Sequence, residues 1–134
     1  MLITLSILWI LSAACCIYYW VDFYIRGEVQ VVNEDWYAKF QKSFTIADSW
    51  MAVSGLVGAI GLLSGQLYGF IFALLAAASL IFLGLMDVTF NIQNNLYRLV
   101  TTSSQMKFEV FLNLWALGFG IANIVLLYPR LAFI

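Results

Sequence analysis

Four carboxyl groups are the side chains of this sequence with the clearest chemical potential. Asp22, Asp48, Asp87 and Glu109 each border a long stretch of uncharged, mostly apolar residues. Ionisable residues near membrane depth are costly and commonly serve binding or transport. A purely structural role is the alternative. Asp48 would then cap its own helix together with Thr45, and the carboxylates of Asp22 and Glu109 would simply be solvated.

Amide side chains accompany these carboxyl groups. Asp87, Asn91, Asn94 and Arg98 have the spacing i, i+4, i+7 and i+11, which places them on one face of a continuing helix. Together they predict a polar pocket for a cation, a lipid headgroup or a polar partner segment, and paired carboxylates are also able to do acid–base work. The candidate ligand- or ion-binding residues are Asp48, Asp87, Asn91, Asn94, Glu109 and Asn113.

The elements that must position these residues are membrane-spanning helices. Of the 134 residues, 64% are hydrophobic and 10% are charged, whereas soluble domains have about 25% charged residues. No charge occurs in residues 2–21, 49–86 or 110–129, and a span needs about 20 residues. We therefore predict one all-α membrane domain over residues 1–134, an antiparallel bundle of four spans. Their predicted bounds are 2–24, 46–64, 67–90 and 108–128.

The antiparallel order brings all four carboxyl groups to one end of the bundle. Loops one and three also lie at that end and hold five of the six basic residues. The positive-inside rule places this end in the cytoplasm and both termini outside. Aromatic residues near the predicted span ends are typical of interfacial belts: Tyr18, Tyr19, Trp20, Tyr24, Trp50, Tyr68, Tyr97 and Tyr128.

The first loop contains a candidate amphipathic helix. Asn33 is a suitable N-cap, and Trp36, Phe40 and Phe44 recur at every fourth residue. This pattern indicates a short helix lying at the membrane surface. The alternative is a helix that continues without a break into the second span.

Small residues at four-residue spacing predict close helix packing within the membrane. One interpretation is packing inside a single chain, and the other is a face that joins a second subunit. The predicted packing residues are Ser54, Gly58, Gly61, Gly65, Gly69, Ala73, Ala77, Ala116 and Gly120.

Several chemistries have no basis in this composition. The sequence has no histidine, and its two cysteines, Cys15 and Cys16, are adjacent. Histidine-ligated metal or haem sites and CxxC redox pairs are therefore excluded, and we predict no cofactor and no metal. A net charge of −1 without a basic tract argues against nucleic acid as a partner. No catalytic constellation favours an enzyme.

Short motifs in the second and fourth spans resemble the small four-span bacterial membrane proteins of the DoxX-like and YvaD-like type. They are residues 44–50 (FTIADSW) leading into Ser54-Gly55-Leu56, and Asn113-Leu114-Trp115 followed by Leu127-Tyr128-Pro129. The resemblance implies the four-span fold and a bacterial plasma membrane. It implies no common chemistry.

Three functions are compatible with these features. The one we favour from the sequence is a non-enzymatic accessory subunit, which packs through its Gly/Ala faces into a homo-oligomer or a larger complex among membrane lipids. The second is a binder or carrier of a lipid, quinone or other hydrophobic molecule. An enzyme that modifies lipids is the third.

Overall fold

The computed structural model describes residues 1–133 and consists of helices and their connections. Four long helices correspond to the predicted spans, and each is long and apolar enough to cross a membrane. They are α1 (Leu2–Ile25), α3 (Thr45–Leu63), α4 (Leu67–Gln93) and α5 (Ser104–Leu127), while α2 (Asp35–Lys42) is short. Two 3₁₀ helices cover Leu96–Thr101 and Tyr128–Phe133. The prediction of an all-α four-helix membrane bundle is confirmed.

The tightest packing joins α3 to α4 through glycines. A Cβ on Gly61 or Gly69 would fall on the backbone of the other helix, and a Cβ on Gly58 would lie 2.7 Å from the amide nitrogen of Ala73. Gly65 has a different role, because it lies in the connecting turn with a φ of +66° and has open space around it. The prediction that Gly65 packs against a helix is therefore wrong.

The next contact, between α4 and α5, also depends on small residues. A Cβ on Gly84 would lie 2.9 Å from the Cβ of Ala116, and a Cβ on Gly120 would lie 3.1 Å from the carbonyl oxygen of Ala77. Ala73, Ala77 and Ser54 are buried. Apart from Gly65, the small residues named in the sequence thus pack helices of the same chain together, which is the first of the two interpretations.

The seam between α1 and α5 is built differently. Large side chains cross it: the indole of Trp9 donates to Oδ1 of Asn123 over 2.9 Å, and the indole of Trp115 donates to Oγ of Ser12 over 2.9 Å. Close backbone packing instead follows the order α1–α3, α3–α4 and α4–α5. Because tryptophans bridge α1 and α5 where the other pairs have glycines, space remains between these two helices.

Helix α2 closes the end of the bundle that carries loops one and three. It begins at Asp35 with Glu34 as N-cap and without a side-chain cap, so the predicted cap at Asn33 is wrong. It ends at Lys42, and α3 begins at Thr45, so a separate short helix is present. The ring of Phe40 stacks on Phe90 of α4 at a centroid distance of 3.8 Å. One side of α2 therefore packs against α4, while its other side is exposed.

Candidate functional site

A cavity of about 370 Å³ lies between α1, α3, α4 and α5. Its volume is within the range of about 300–1,000 Å³ that is usual for small-molecule sites. Most of its wall is aliphatic or aromatic and comes from all four long helices. The apolar part includes Leu8, Phe44, Met51, Leu80, Leu83 and Leu112. The cavity occupies the gap that the bridging side chains leave between α1 and α5.

One end of this cavity is polar. The carboxyl groups of Asp48, Asp87 and Glu109 line it, together with the amides of Asn113 and Gln41. Asp48 lies in the first turn of α3, Glu109 lies just inside the start of α5, and Asp87 lies near the end of α4. The antiparallel arrangement therefore brings three of the four predicted carboxyl groups to one cavity.

Asn113 is the centre of a hydrogen-bond network at this end. Its amide nitrogen donates to Oδ2 of Asp87 over 2.6 Å. Its oxygen accepts from Nδ2 of Asn91 at 3.2 Å and from the hydroxyl of Tyr97 at 2.6 Å. Burial raises the pKa of the Tyr97 phenol, which lies beyond the end of α4 and keeps its proton for this bond. The other oxygen of Asp87, Oδ1, accepts from Nε2 of Gln41 over 3.3 Å.

The two other carboxyl groups each accept a hydrogen bond from an aromatic residue of α1. The indole of Trp20 donates to Oδ2 of Asp48 over 2.9 Å, and the hydroxyl of Tyr19 donates to Oε1 of Glu109 over 2.8 Å. Glu109 is only 3% exposed. The prediction that Glu109 is solvated is therefore wrong. The prediction that Asp48 and Thr45 cap α3 is also wrong, because α3 has no side-chain cap and the hydroxyl of Thr45 donates to a backbone carbonyl.

The fourth carboxyl group, Asp22, belongs to a separate structure. It is buried, and its Oδ1 lies 3.0 Å from Nε of Arg26. Its Oδ2 accepts from the backbone nitrogen of Val29 over 2.8 Å. Asp22 thus anchors the first loop to the end of α1, and the expectation that it is solvated is wrong.

The cavity has a mouth on the outer surface of the bundle. Leu11 of α1 and Phe111 of α5 both line the cavity, and their side chains are 58% and 55% exposed. Both side chains are apolar, and this surface lies along helices that are suited to cross a membrane. The mouth between α1 and α5 therefore faces the region where lipid chains would lie.

The structure brings together most of the predicted site residues. The cavity is lined by Asp48, Asp87, Glu109 and Asn113. Asn91 does not line it but donates a hydrogen bond to Asn113. Asn94 does not join them, because it is exposed and its amide donates to the carbonyl of Phe90 in its own helix. The shared helical face ends before Asn94, since α4 itself stops at Gln93.

Aromatic site residues were missed from the sequence. Tyr19 and Trp20 were assigned to an interfacial belt, but both are buried and hold carboxyl groups. The spacing of Ser12, Cys16 and Tyr19 at i, i+4 and i+7 marks the cavity-facing side of α1. Sequence alone does not separate this face from the lipid-facing one, because both are apolar.

Metal binding has no geometric support within residues 1–133. Asp48, Asp87 and Glu109 share one cavity wall, but no three His, Cys, Asp or Glu side chains in that range converge as metal ligands do. The donors that do reach these carboxyl groups are an indole, a phenol and two amides. The polar end is therefore held together by hydrogen bonds within the chain, while the rest of the cavity wall is mostly apolar.

Comparison of the chain with family models, with curated proteins and with solved structures finds no match. The resemblance to the DoxX-like proteins stays a prediction that rests on short motifs.

Proposed function

We propose that this protein binds an amphipathic small molecule, of the lipid or quinone class, in the cavity between its four long helices. The observation that carries the proposal is a cavity with apolar walls, one buried polar end and a mouth on the apolar surface. An amphipathic molecule matches both parts of that wall. Its apolar part would lie along α1 and α4, and its polar part would reach the carboxyl groups.

The length of the cavity also suits such a ligand. Its wall on α1 extends from Leu8 to Trp20, and these 12 helical steps correspond to roughly 18 Å. Entry from the bilayer through the gap at Leu11 and Phe111 would avoid carrying an apolar molecule through water, which costs about 0.8 kcal/mol per exposed methylene.

A role as an accessory subunit, which the sequence favoured, has less support. Its argument depended on Gly/Ala faces, and these faces are occupied inside the chain. A subunit interface would therefore have to use other surfaces.

We also propose, from the distribution of basic residues, that loops one and three face the cytoplasm.

Native mass spectrometry of the protein, gently extracted from its own membrane, tests the proposal. We expect a retained small molecule of defined mass at one copy per chain. A homo-oligomer or a heteromeric complex without such a molecule would support the subunit function and overturn ligand binding.

Filling the cavity provides the first mutational prediction. Cys15 lines the cavity and is half-buried, so Cys15→Trp should reduce the retained ligand at least tenfold. Ile17→Trp adds the same side chain to α1 at a lipid-facing position that is 58% exposed, and it should retain the ligand. The ratio of ligand-bound to free protein in native mass spectra measures both effects. Equal retention by the two variants would place the ligand elsewhere.

A further inference from the structure

At the polar end of the cavity, every side chain that can carry charge at neutral pH is an acid. Its titratable wall residues include three carboxyl groups, and the wall contains no lysine or arginine within residues 1–133. Several cations of the chain are engaged elsewhere: Arg26 pairs with Asp22, Lys39 pairs with Asp35, and Lys42 lies over the ring of Tyr24. Buried carboxylates without a counter-ion are costly, so this end of the cavity would gain most from a bound positive charge.

The bonding of the carboxyl groups leaves an acceptor position for such a charge. Within residues 1–133, the hydrogen bonds from Trp20 and Tyr19 use Oδ2 of Asp48 and Oε1 of Glu109. Glu109 also lies within hydrogen-bond reach of Asp87, whereas Oδ1 of Asp48 accepts no side-chain bond within residues 1–133 and remains for a donor from outside the chain. An ammonium group is a donor as well as a positive charge, so it would satisfy both needs.

A buried hydroxyl next to this end is also without a partner. Tyr37 of α2 is 1% exposed, and within residues 1–133 its hydroxyl makes no hydrogen bond. Glu109 and Asp87 are the charged groups that act on it, and its nearest polar neighbours are the hydroxyl of Tyr19 and the backbone of Val31.

Aromatic rings around the polar end favour an organic cation. Tyr19 and Trp20 line the cavity next to the carboxyl groups, and aromatic rings attract ammonium groups that have lost water. The carboxyl groups do not converge as metal ligands within residues 1–133, which disfavours a bare metal ion. We infer that the ligand is a lipophilic cation, that is, an amine or quaternary ammonium group joined to an apolar body. This inference rests on the proposed function.

Three probes with the same ten-carbon chain test the sign of the charge: decyltrimethylammonium, decyl sulfate and decanol. Binding to the full chain in neutral maltoside micelles is measured by equilibrium dialysis against empty micelles. We expect decyltrimethylammonium to bind at least tenfold more tightly than decyl sulfate, with decanol between them. Equal or tighter binding of decyl sulfate or decanol would overturn the cationic ligand and leave the proposed cavity function intact. Binding of no probe would overturn both.

A matched pair of double variants locates the effect. Asp48→Asn with Glu109→Gln should weaken binding of decyltrimethylammonium at least tenfold while binding of decanol persists, which also shows that the variant is folded. Glu34→Gln with Asp35→Asn removes the same charge from exposed positions at the start of α2 and should leave cation binding unchanged. If both double variants lost the same amount of decyltrimethylammonium binding, the cation would be attracted by the overall charge of the protein, and the assigned site would be wrong. If the cavity variant does not fold, the comparison of the three probes on the unaltered chain decides.

Discussion

Replacing Gly69 with alanine should destabilise the bundle by about 2–3 kcal/mol, because the added methyl group has no room. Its Cβ would fall on the backbone atoms of Gly61 and Leu62, and backbone atoms do not move aside as a flexible side chain does. Helices α3 and α4 would have to separate along their tightest contact. Thermal unfolding in maltoside micelles, followed by circular dichroism, measures the change.

Gly118→Ala is the control for this prediction. Gly118 lies within α5, and a Cβ there would meet nothing within 4 Å. Alanine has the higher helix propensity by about 1 kcal/mol, so this change should leave stability unchanged or raise it slightly. We thus expect a glycine-to-alanine change to lower stability at position 69 and not to lower it at position 118. A similar loss of stability in both variants would mean that α3 and α4 do not approach as closely as the structure has them.

Replacing Asn113 with leucine should cost about 3 kcal/mol of stability, since one side chain satisfies three partners. Leucine would leave the carboxylate of Asp87, the amide of Asn91 and the hydroxyl of Tyr97 without their bonds to this residue. Asn91 is only 1% exposed, so water cannot readily replace the lost bond. The loss would be seen as a lower midpoint of unfolding in the same micelles.

Asn94→Leu is the matched control, because it removes the same amide from a residue outside the network. Asn94 is exposed, and within residues 1–133 its side chain bonds only to the carbonyl of Phe90 one turn earlier. We expect a change within about 0.5 kcal/mol, as for most surface substitutions. If the Asn113 variant were no less stable than the Asn94 variant, the network would contribute nothing to folding.

The number and course of the spans could be predicted from the sequence. Stretches without charge, about 20 or 38 residues long, leave few arrangements that satisfy the backbone in lipid. The short turn around Gly65 then makes α3 and α4 antiparallel neighbours. The predicted convergence of Asp48, Asp87 and Glu109 depended on this direction, since Asp48 and Glu109 lie near the starts of their helices and Asp87 lies near the end of α4.

The partners of the site residues could not be predicted in the same way. In a membrane protein, lipid-facing and protein-facing sides of a helix are both apolar, so hydrophobic periodicity does not distinguish them. Tyr19 and Trp20 therefore looked like interfacial residues, although they hold Glu109 and Asp48. Gln41 was missed for a similar reason, because it reaches Asp87 only when α2 folds over the bundle end.

The sequence by itself determined the class of protein, the four spans and the end of the bundle at which the carboxyl groups lie. These follow from the cost of charge and of unpaired backbone groups in hydrocarbon, which acts on each segment separately. Only the tertiary structure decided that small residues join α3 to α4 and α4 to α5, that α1 packs on α3, and that a cavity is left at the seam between α1 and α5. That outcome depends on which side chains meet across helices, because a glycine allows close approach and a bridging tryptophan keeps two helices apart.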